Sequence, residues 1–144
     1  MSDNIHFSSA TNEWETPNFL FDELDREFNF TLDPCATAKN AKCKHFYTKA
    51  DDGLSRSWKN ETVFMNPPYG REIKKWMEKA YMESSKQTTV VCLVPARTDT
   101  QWWHDYALQG EIRFLKGRLK FNGYKNSAPF PSAIVVLRAG KYAR

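Results

Sequence analysis

Two adjacent prolines directly after an apolar run restrict this chain more than any other feature. Val63-Phe64-Met65 is followed by Asn66-Pro67-Pro68-Tyr69. Each proline holds φ at about −65° and has no N–H for a ladder or a helix interior. Each also pushes the residue before it out of the helical region. A strand over Thr62 to Met65 must therefore end at Asn66, and the chain must leave that edge as a stiff, non-helical loop. Asn66 offers one acceptor and two donors on a short arm, and Tyr69 adds a flat aromatic face. Such a loop is a rigid cradle for a planar group that carries an amine.

The pattern around the loop alternates strands with helices. Thr16 reads as an N-cap with Pro17 as the first helical residue, and Leu20, Leu24 and Phe28 share one helical stripe that Asn29 ends. Phe30 to Leu32 reads as a strand stopped by Asp33-Pro34. Residues 34–44 read as a polar segment with one helical turn, and His45 to Thr48 as a second strand. Asp51 to Leu54 reads as a turn. Beyond Gly70, the recurrence of Ile73, Trp76, Met77, Ala80 and Tyr81 is that of an amphipathic helix. Thr88 to Val94 is β-branched, apolar and uncharged, as in a buried central strand. Asp99 to Leu108 reads as a helix stopped by Gly110. Its adjacent Trp102 and Trp103 point about 100° apart, so one of them is expected to be half exposed. Ile112 to Lys116, Leu119 to Phe121 and Ala133 to Arg138 read as strands, with an irregular loop over 122–132. The expected fold is α/β: a mostly parallel central sheet with helices on both faces and a strand-rich C-terminal end.

A length of 144 residues fits a single domain over 1–144, with polar residues 1–13 as a mobile start. With 21 basic and 17 acidic residues the net charge is +4, which favours a polyanionic partner. No run approaches the ~18 apolar residues of a membrane helix. Met1-Ser2-Asp3-Asn4 does not resemble a secretion signal, so a cytoplasmic location is expected. Three cysteines, an odd number, argue against a disulfide framework. Cys35 and Cys43 with His45 lack a fourth ligand and the spacing of a zinc knuckle, so no metal is expected.

In an open α/β sheet, ligands bind beyond the carboxyl ends of the strands. Two such ends carry polar groups here: Leu32-Asp33-Pro34-Cys35-Ala36 and Asn66-Pro67-Pro68-Tyr69-Gly70. If the two strands are parallel neighbours, Asp33 and Asn66 lie within a cofactor's length of each other. The absence of G-x-G-x-x-G and Walker runs argues against NAD and ATP. Asp33 can pair with an ammonium, as in methionine-type cofactors, or bind a ribose; equally, it can cap the Asp-Pro turn. Asp51 and Asp52 follow the second strand. Asp52 is the better candidate for a ribose or adenine contact because Gly53 permits close approach, although Asp-Gly is also an ordinary turn.

Taken in order, Trp14-Glu15-Thr16-Pro17, Leu32 to Ala36, Asp52-Gly53-Leu54 with Trp58, Asn66 to Gly70, Val94 to Asp99 with Trp102, Gly117 to Phe121 and Ala128 to Ser132 form an ordered set. That set resembles the DNA adenine N6-methyltransferases of the small phage type, a branch of the S-adenosylmethionine-dependent methyltransferases. The resemblance implies a reduced Rossmann-like methyltransferase fold without a separate target-recognition domain. It also implies S-adenosylmethionine as methyl donor, S-adenosylhomocysteine as product and double-stranded DNA as partner, acted on by a monomer or homodimer. It makes Asp33, Pro34 and Cys35 the cofactor motif, without the glycines that larger class members carry there, with Trp14, Thr16, Pro17 and Asp52 assisting. Protection of phage or prophage DNA within restriction-modification, or an orphan regulatory role, is the family-level expectation.

The chemistry follows from the amine. The N6 lone pair of adenine is delocalised into the ring. Hydrogen bonds from N6-H₂ to the Asn66 oxygen and the Pro67 carbonyl would make the nitrogen more tetrahedral, with Tyr69 stacked on the ring. Flipping the base from the duplex costs a few kcal/mol. Arg97, Arg118 and Lys120 are candidates to hold the DNA, each with a solvated charge as the alternative. Lys74 and Lys75 are weaker ones, and Trp58 and Phe130 are candidate pocket walls or core. The same tetrapeptide serves methyltransferases acting on cytosine N4, RNA adenine and protein glutamine. A catalytically silent nucleic-acid-binding module is the reading from another class.

Overall fold

The computed structural model describes residues 14–85 and 87–140; the expected mobile segment over 1–13 lies outside them. In chain order the elements are α1 (Asn18–Phe28), β1 (Leu32–Asp33), β2 (His45–Phe46), β3 (Thr62–Met65), α2 (Ile73–Glu83), β4 (Thr89–Pro95), α3 (Gln101–Asp105), β5 (Glu111–Phe114) and β6 (Ser132–Leu137). Short 3₁₀ turns cover Gly53–Ser55 and Ala107–Gln109.

The six strands form one sheet in the order β2-β1-β3-β4-β6-β5. β2, β1, β3 and β4 pair in parallel. β6 runs antiparallel to both β4 and β5. The sheet is thus mostly parallel, as a reduced Rossmann-like arrangement requires, and its C-terminal part is the strand-rich portion.

Side-chain alternation divides the core into two layers. Val63 and Met65 of β3, Val90, Cys92 and Val94 of β4, and Ala133, Val135 and Leu137 of β6 face Ile73, Trp76 and Met77 of α2 and Trp102 and Trp103 of α3. Phe64, Val91, Leu93, Ile134 and Val136 face Leu20, Phe21 and Leu24 of α1. Every residue of β6 is buried, and so is every residue of β4 after Thr89. Each large apolar side chain buried this way stabilises the fold by about 1.5–3 kcal/mol relative to exposure. Helices therefore cover both faces.

Local differences from the sequence reading have physical causes. α1 starts at Asn18 with Pro17 as an extended N-cap, and no side chain caps it; the Thr16 hydroxyl is engaged elsewhere, with Asn66. Asn29 ends the helix in the left-handed conformation, φ 57°, as its short polar side chain allows. The helix expected over Asp99 to Leu108 is five residues capped by Thr100, and it breaks at Tyr106 into a 3₁₀ turn that Gly110 closes. Trp102 and Trp103 are both buried, because α3 lies between two partners: Trp103 packs on Phe114 of β5, while Trp102 joins the layer beneath α2. Leu119 to Phe121 is not a strand. Its backbone is held by single bonds to the neighbouring loop and the N-terminal segment, from Ala128 N–H to Leu119 O and from Asn122 N–H to Glu15 O. Leu119 and Phe121 serve as apolar anchors in the α1 layer.

Candidate active site

The functional edge follows from strand direction. β1, β3 and β4 end on one side of the sheet. Because β6 is antiparallel, the connection from β5 to β6, residues 115–131, begins and ends on that same side. The loops carrying Asp33, Asn66, Arg97, Arg118, Lys120 and Phe130 therefore all leave from one edge. The parallel adjacency of β1 and β3, on which the Asp33–Asn66 juxtaposition depends, is present.

Asn66 follows β3 and is half-buried. Its Nδ2 donates to the Trp14 carbonyl and to Thr16 Oγ1, the latter at 2.9 Å. Its Oδ1 is buried and has no hydrogen-bond partner among the described residues. Pro67 and Pro68 carry the chain away without regular structure, and Gly70 turns it into α2 at φ 94°, a conformation that disfavours a side chain. Tyr69 is only 2 % exposed. Its hydroxyl donates to the Leu93 carbonyl, and burial holds its proton well above the ordinary phenol range. The Phe130 and Phe121 rings meet it edge-on, with centroids at 5.5 and 6.5 Å. Phe130 packs against the ring expected to stack on a base.

The N-terminal segment is strapped over this edge. The Trp14 ring stacks on Tyr124 at 4.5 Å and meets Phe121 and Phe130 edge-on. Glu15 accepts from the Asn122 backbone N–H and side chain and pairs with Lys42 at 3.9 Å. Lys42 Nζ also donates to Asn18. Thr16 and Pro17 are buried beneath the strap.

Asp33 lies at the carboxyl end of β1 and is 6 % exposed. Its Oδ1 accepts from the Cys35 N–H and its Oδ2 from the Lys42 N–H, so it organises the loop over 34–42, as the turn-capping alternative expects. Burial raises its pKa, against the two N–H bonds and the Lys42 charge. Among the described residues it forms no ion pair. The Cys35 thiol is pushed up by burial and by Asp33, and that of Cys43 to about 12, chiefly by burial, so neither is a thiolate at neutral pH. No group of three His, Cys, Asp or Glu side chains among the described residues is arranged to hold a metal.

Asp52 is exposed, with φ 58°. The neighbouring Gly53 lies so close to the Pro34 carbonyl that the two cofactor-motif candidates form one unit. Trp58 is not a pocket wall. It is fully buried, and its Nε1 donates to Gly53 O at 3.0 Å, so it supports the Asp52–Gly53 turn from inside the core.

A cleft of about 290 Å³ opens beside the Asn66–Gly70 loop, lined by Gly70, Arg71, Ile73, Pro95, Arg97, Thr100 and Trp102. Arg97 is thus brought beside the tetrapeptide. Arg71 joins it from the turn before α2; no motif in the sequence singles it out, and its position one residue after Gly70 is the available signal. Arg118 and Lys120 are exposed on the 115–131 loop, and Lys120 precedes the Phe121 that packs against Tyr69. No described contact brings Arg118 or Lys120 to Asn66. Lys74 and Lys75 lie on the exposed side of α2. No helix among the described residues is long and apolar enough to cross a membrane.

Residues 6–139 match the family described as DNA N-6-adenine-methyltransferase (Dam). The DNA N-6-adenine-methyltransferase of Haemophilus phage HP1 (strain HP1c1) is 32 % identical over 92 residues, covering 62 % of this chain and 53 % of that protein. That of Escherichia phage T1 is 35 % identical over 132 residues, covering 72 % and 54 %. The putative methyltransferase YfdM of Escherichia coli (strain K12) is 34 % identical over 64 residues, covering 40 % and 70 %. The chain spans about half the length of the two phage relatives. With a match that runs over nearly all of its length, it belongs to the DNA N-6-adenine-methyltransferase (Dam) family.

Proposed function

We propose that this protein transfers a methyl group from S-adenosylmethionine to N6 of adenine in double-stranded DNA. The observation that carries this reading is the Asn66 carboxamide: both its hydrogens are engaged, and its buried oxygen has no partner among the described residues. A buried acceptor left unpaired is costly, so this oxygen is matched to a donor that arrives with the substrate. An exocyclic amine is such a donor.

The residues fit the cofactor on the same grounds. Asp33 is a buried carboxylate without an ion-pair partner among the described residues, and a cationic ligand beside it would offset its desolvation. Asp52 stands exposed across the Gly53–Pro34 contact, in position to accept from a ribose or an adenine amine. Trp14, Pro17, Pro34 and Cys35 close the site between them, and Thr16 lies beneath, on Asn66. When bound, S-adenosylmethionine supplies a methyl group activated by a sulfonium.

The protein's part is orientation and electrostatics. Asn66 Oδ1 accepts one N6 hydrogen and the Pro67 carbonyl the other, which draws the nitrogen lone pair out of conjugation. The nitrogen would gain the methyl group as the donor's S–CH₃ bond breaks, S-adenosylhomocysteine leaving as the neutral thioether, and would lose one proton to solvent. The flipped base takes the place beside Tyr69 that Phe130 now holds. Phe130 belongs to a segment without regular structure, which suits it to that displacement. Arg97 and Arg71 hold the backbone next to the flipped nucleotide, with Arg118 and Lys120 on the opposite loop.

Isotope-labelled S-adenosylmethionine and unmethylated duplex DNA, followed by digestion to nucleosides and mass spectrometry, test the reading. Label in N6-methyladenine is expected, and Asn66→Ala should reduce it by about 10²–10³-fold, as for loss of one preorganised polar group. Label in N4-methylcytosine would keep the acceptor geometry and overturn the target. No label in DNA from a folded protein that binds the cofactor would overturn the DNA assignment.

A further inference from the structure

A carboxamide is nearly symmetrical in shape, so its partners decide which end faces a site. The Trp14 carbonyl can only accept. The end of Asn66 that meets it must therefore be the NH₂, and the oxygen must point the other way. Thr16 Oγ1 takes the second hydrogen at 2.9 Å. Thr16 is itself 2 % exposed and cannot turn away freely. On one side Pro17 O accepts from the Leu20 and Phe21 N–H groups; on the other, Glu15 O accepts from the Asn122 N–H. The bond joins residues fifty positions apart, so it is a tertiary device and not a local turn.

We propose that Thr16, acting with the Trp14 carbonyl, is a positioning residue that makes Asn66 a one-way acceptor, and so restricts the site to groups that present an N–H. This rests on the reading of Asn66 as the acceptor for the reacting amine, and adds the origin of its selectivity. A freely turning carboxamide would meet an amine with its oxygen or a carbonyl with its NH₂. Held as it is, Asn66 meets the O6 of guanine or the O4 of thymine with oxygen against oxygen, leaving a buried acceptor unpaired. Sites built to hydrogen-bond one group reject an analogue lacking it by about 10⁴–10⁵-fold. Thr16 touches neither reacting atom; it acts through Asn66.

The first readout needs neither cofactor nor DNA. In ¹⁵N-labelled cofactor-free protein, the Asn66 side-chain amide is assigned as the pair of signals that vanishes in Asn66→Ala. Thr16→Val, close in size but without the acceptor, should shift one hydrogen of that pair and speed its exchange, leaving the backbone signals of β3 and β4 in place. Thr16→Ser should leave the pair near its original position. The second readout is single-turnover methyl transfer: about a tenfold loss in Thr16→Val, rescue in Thr16→Ser, and a cofactor Kd unchanged within about twofold in both. An Asn66 amide indifferent to Thr16→Val overturns the proposal. So does a raised cofactor Kd with an unchanged transfer rate, which would make Thr16 a cofactor ligand instead. A shifted amide in a protein that methylates no DNA would leave the lock standing and sink the activity. Should Thr16→Val fail to fold, Thr16→Cys, with its weakly accepting sulfur, carries the same test.

Discussion

A β-carbon placed on Gly53 would lie 2.4 Å from the carbonyl oxygen of Pro34 and 3.1 Å from the Trp76 ring. The contact joins the loop after β1 to the loop after β2, and the first partner is backbone, which cannot swing aside. Gly53→Ala must push the two loops apart. Overpacking of this kind costs about 1–3 kcal/mol. The thermal midpoint should fall by several degrees, and cofactor affinity should fall with it, because Pro34 and Asp52 separate. An unchanged midpoint by calorimetry would show that the loops are not held against each other.

Trp58 supports the same turn from below. Trp58→Phe keeps most of the buried ring but removes the Nε1 bond to Gly53 O, leaving that carbonyl without this donor. A loss of about 1–3 kcal/mol in urea unfolding is expected. A loss below about 0.5 kcal/mol would mean the indole N–H is dispensable to the turn.

Asp33 sets a pH dependence. Burial raises its folded-state pKa, so the native protein holds that proton to higher pH than the unfolded chain does. The group's contribution to stability is fully present below the ordinary carboxylate value, about 3.9, and is lost as the pH rises through the raised value. A cationic ligand has the opposite preference, because it pairs with the ionised form. Its affinity should fall as the pH drops through that same window, and binding there should release protons. Titration calorimetry in two buffers of different ionisation enthalpy measures the release. Asp33→Asn should abolish it, and a buffer-independent heat in the original protein would refute the assignment.

Arg71 and Arg97 share the cleft beside Gly70. If each neutralises one phosphate, Arg71→Gln and Arg97→Gln should each weaken duplex binding and make the slope of log K against log salt shallower by about one. Binding in filter or anisotropy assays from 50 to 200 mM salt, as typically used for such slopes, checks this. A slope that neither substitution alters would place the DNA elsewhere, with Arg118 and Lys120 the next to test.

The course of the Asn66–Gly70 loop was readable because its determinants are local: two prolines after an apolar run leave the backbone few choices. The amphipathic periods of α1 and α2 and the apolar β4 were readable for the same reason. What escaped depends on partners distant in sequence. Thr16 has the sequence of a helix cap, yet its hydroxyl meets Asn66. Leu119 to Phe121 has strand-like residues but no strand beside it among the described residues. Trp102 and Trp103 are both buried because a helix only five residues long is covered from two sides. The candidacy of Trp58 as a pocket wall failed because composition does not tell an aromatic that lines a cavity from one that fills the core. Arg71 was missed because a charge on the polar face of a helix has the same appearance wherever the helix begins.

The antiparallel course of β6 also decides where the chain can be handled. The last described residues lie at the far side of the sheet: Leu137 pairs with Val90 near the start of β4, and Gly140 donates to Ser84 at the C-terminal cap of α2. The Asn66–Gly70 loop and the first turn of α2 are at the other end of these same elements. A fluorophore attached at the exposed Gly140 would start its path at the end of the sheet opposite Asn66, leaving the Asn66 edge open to long duplexes.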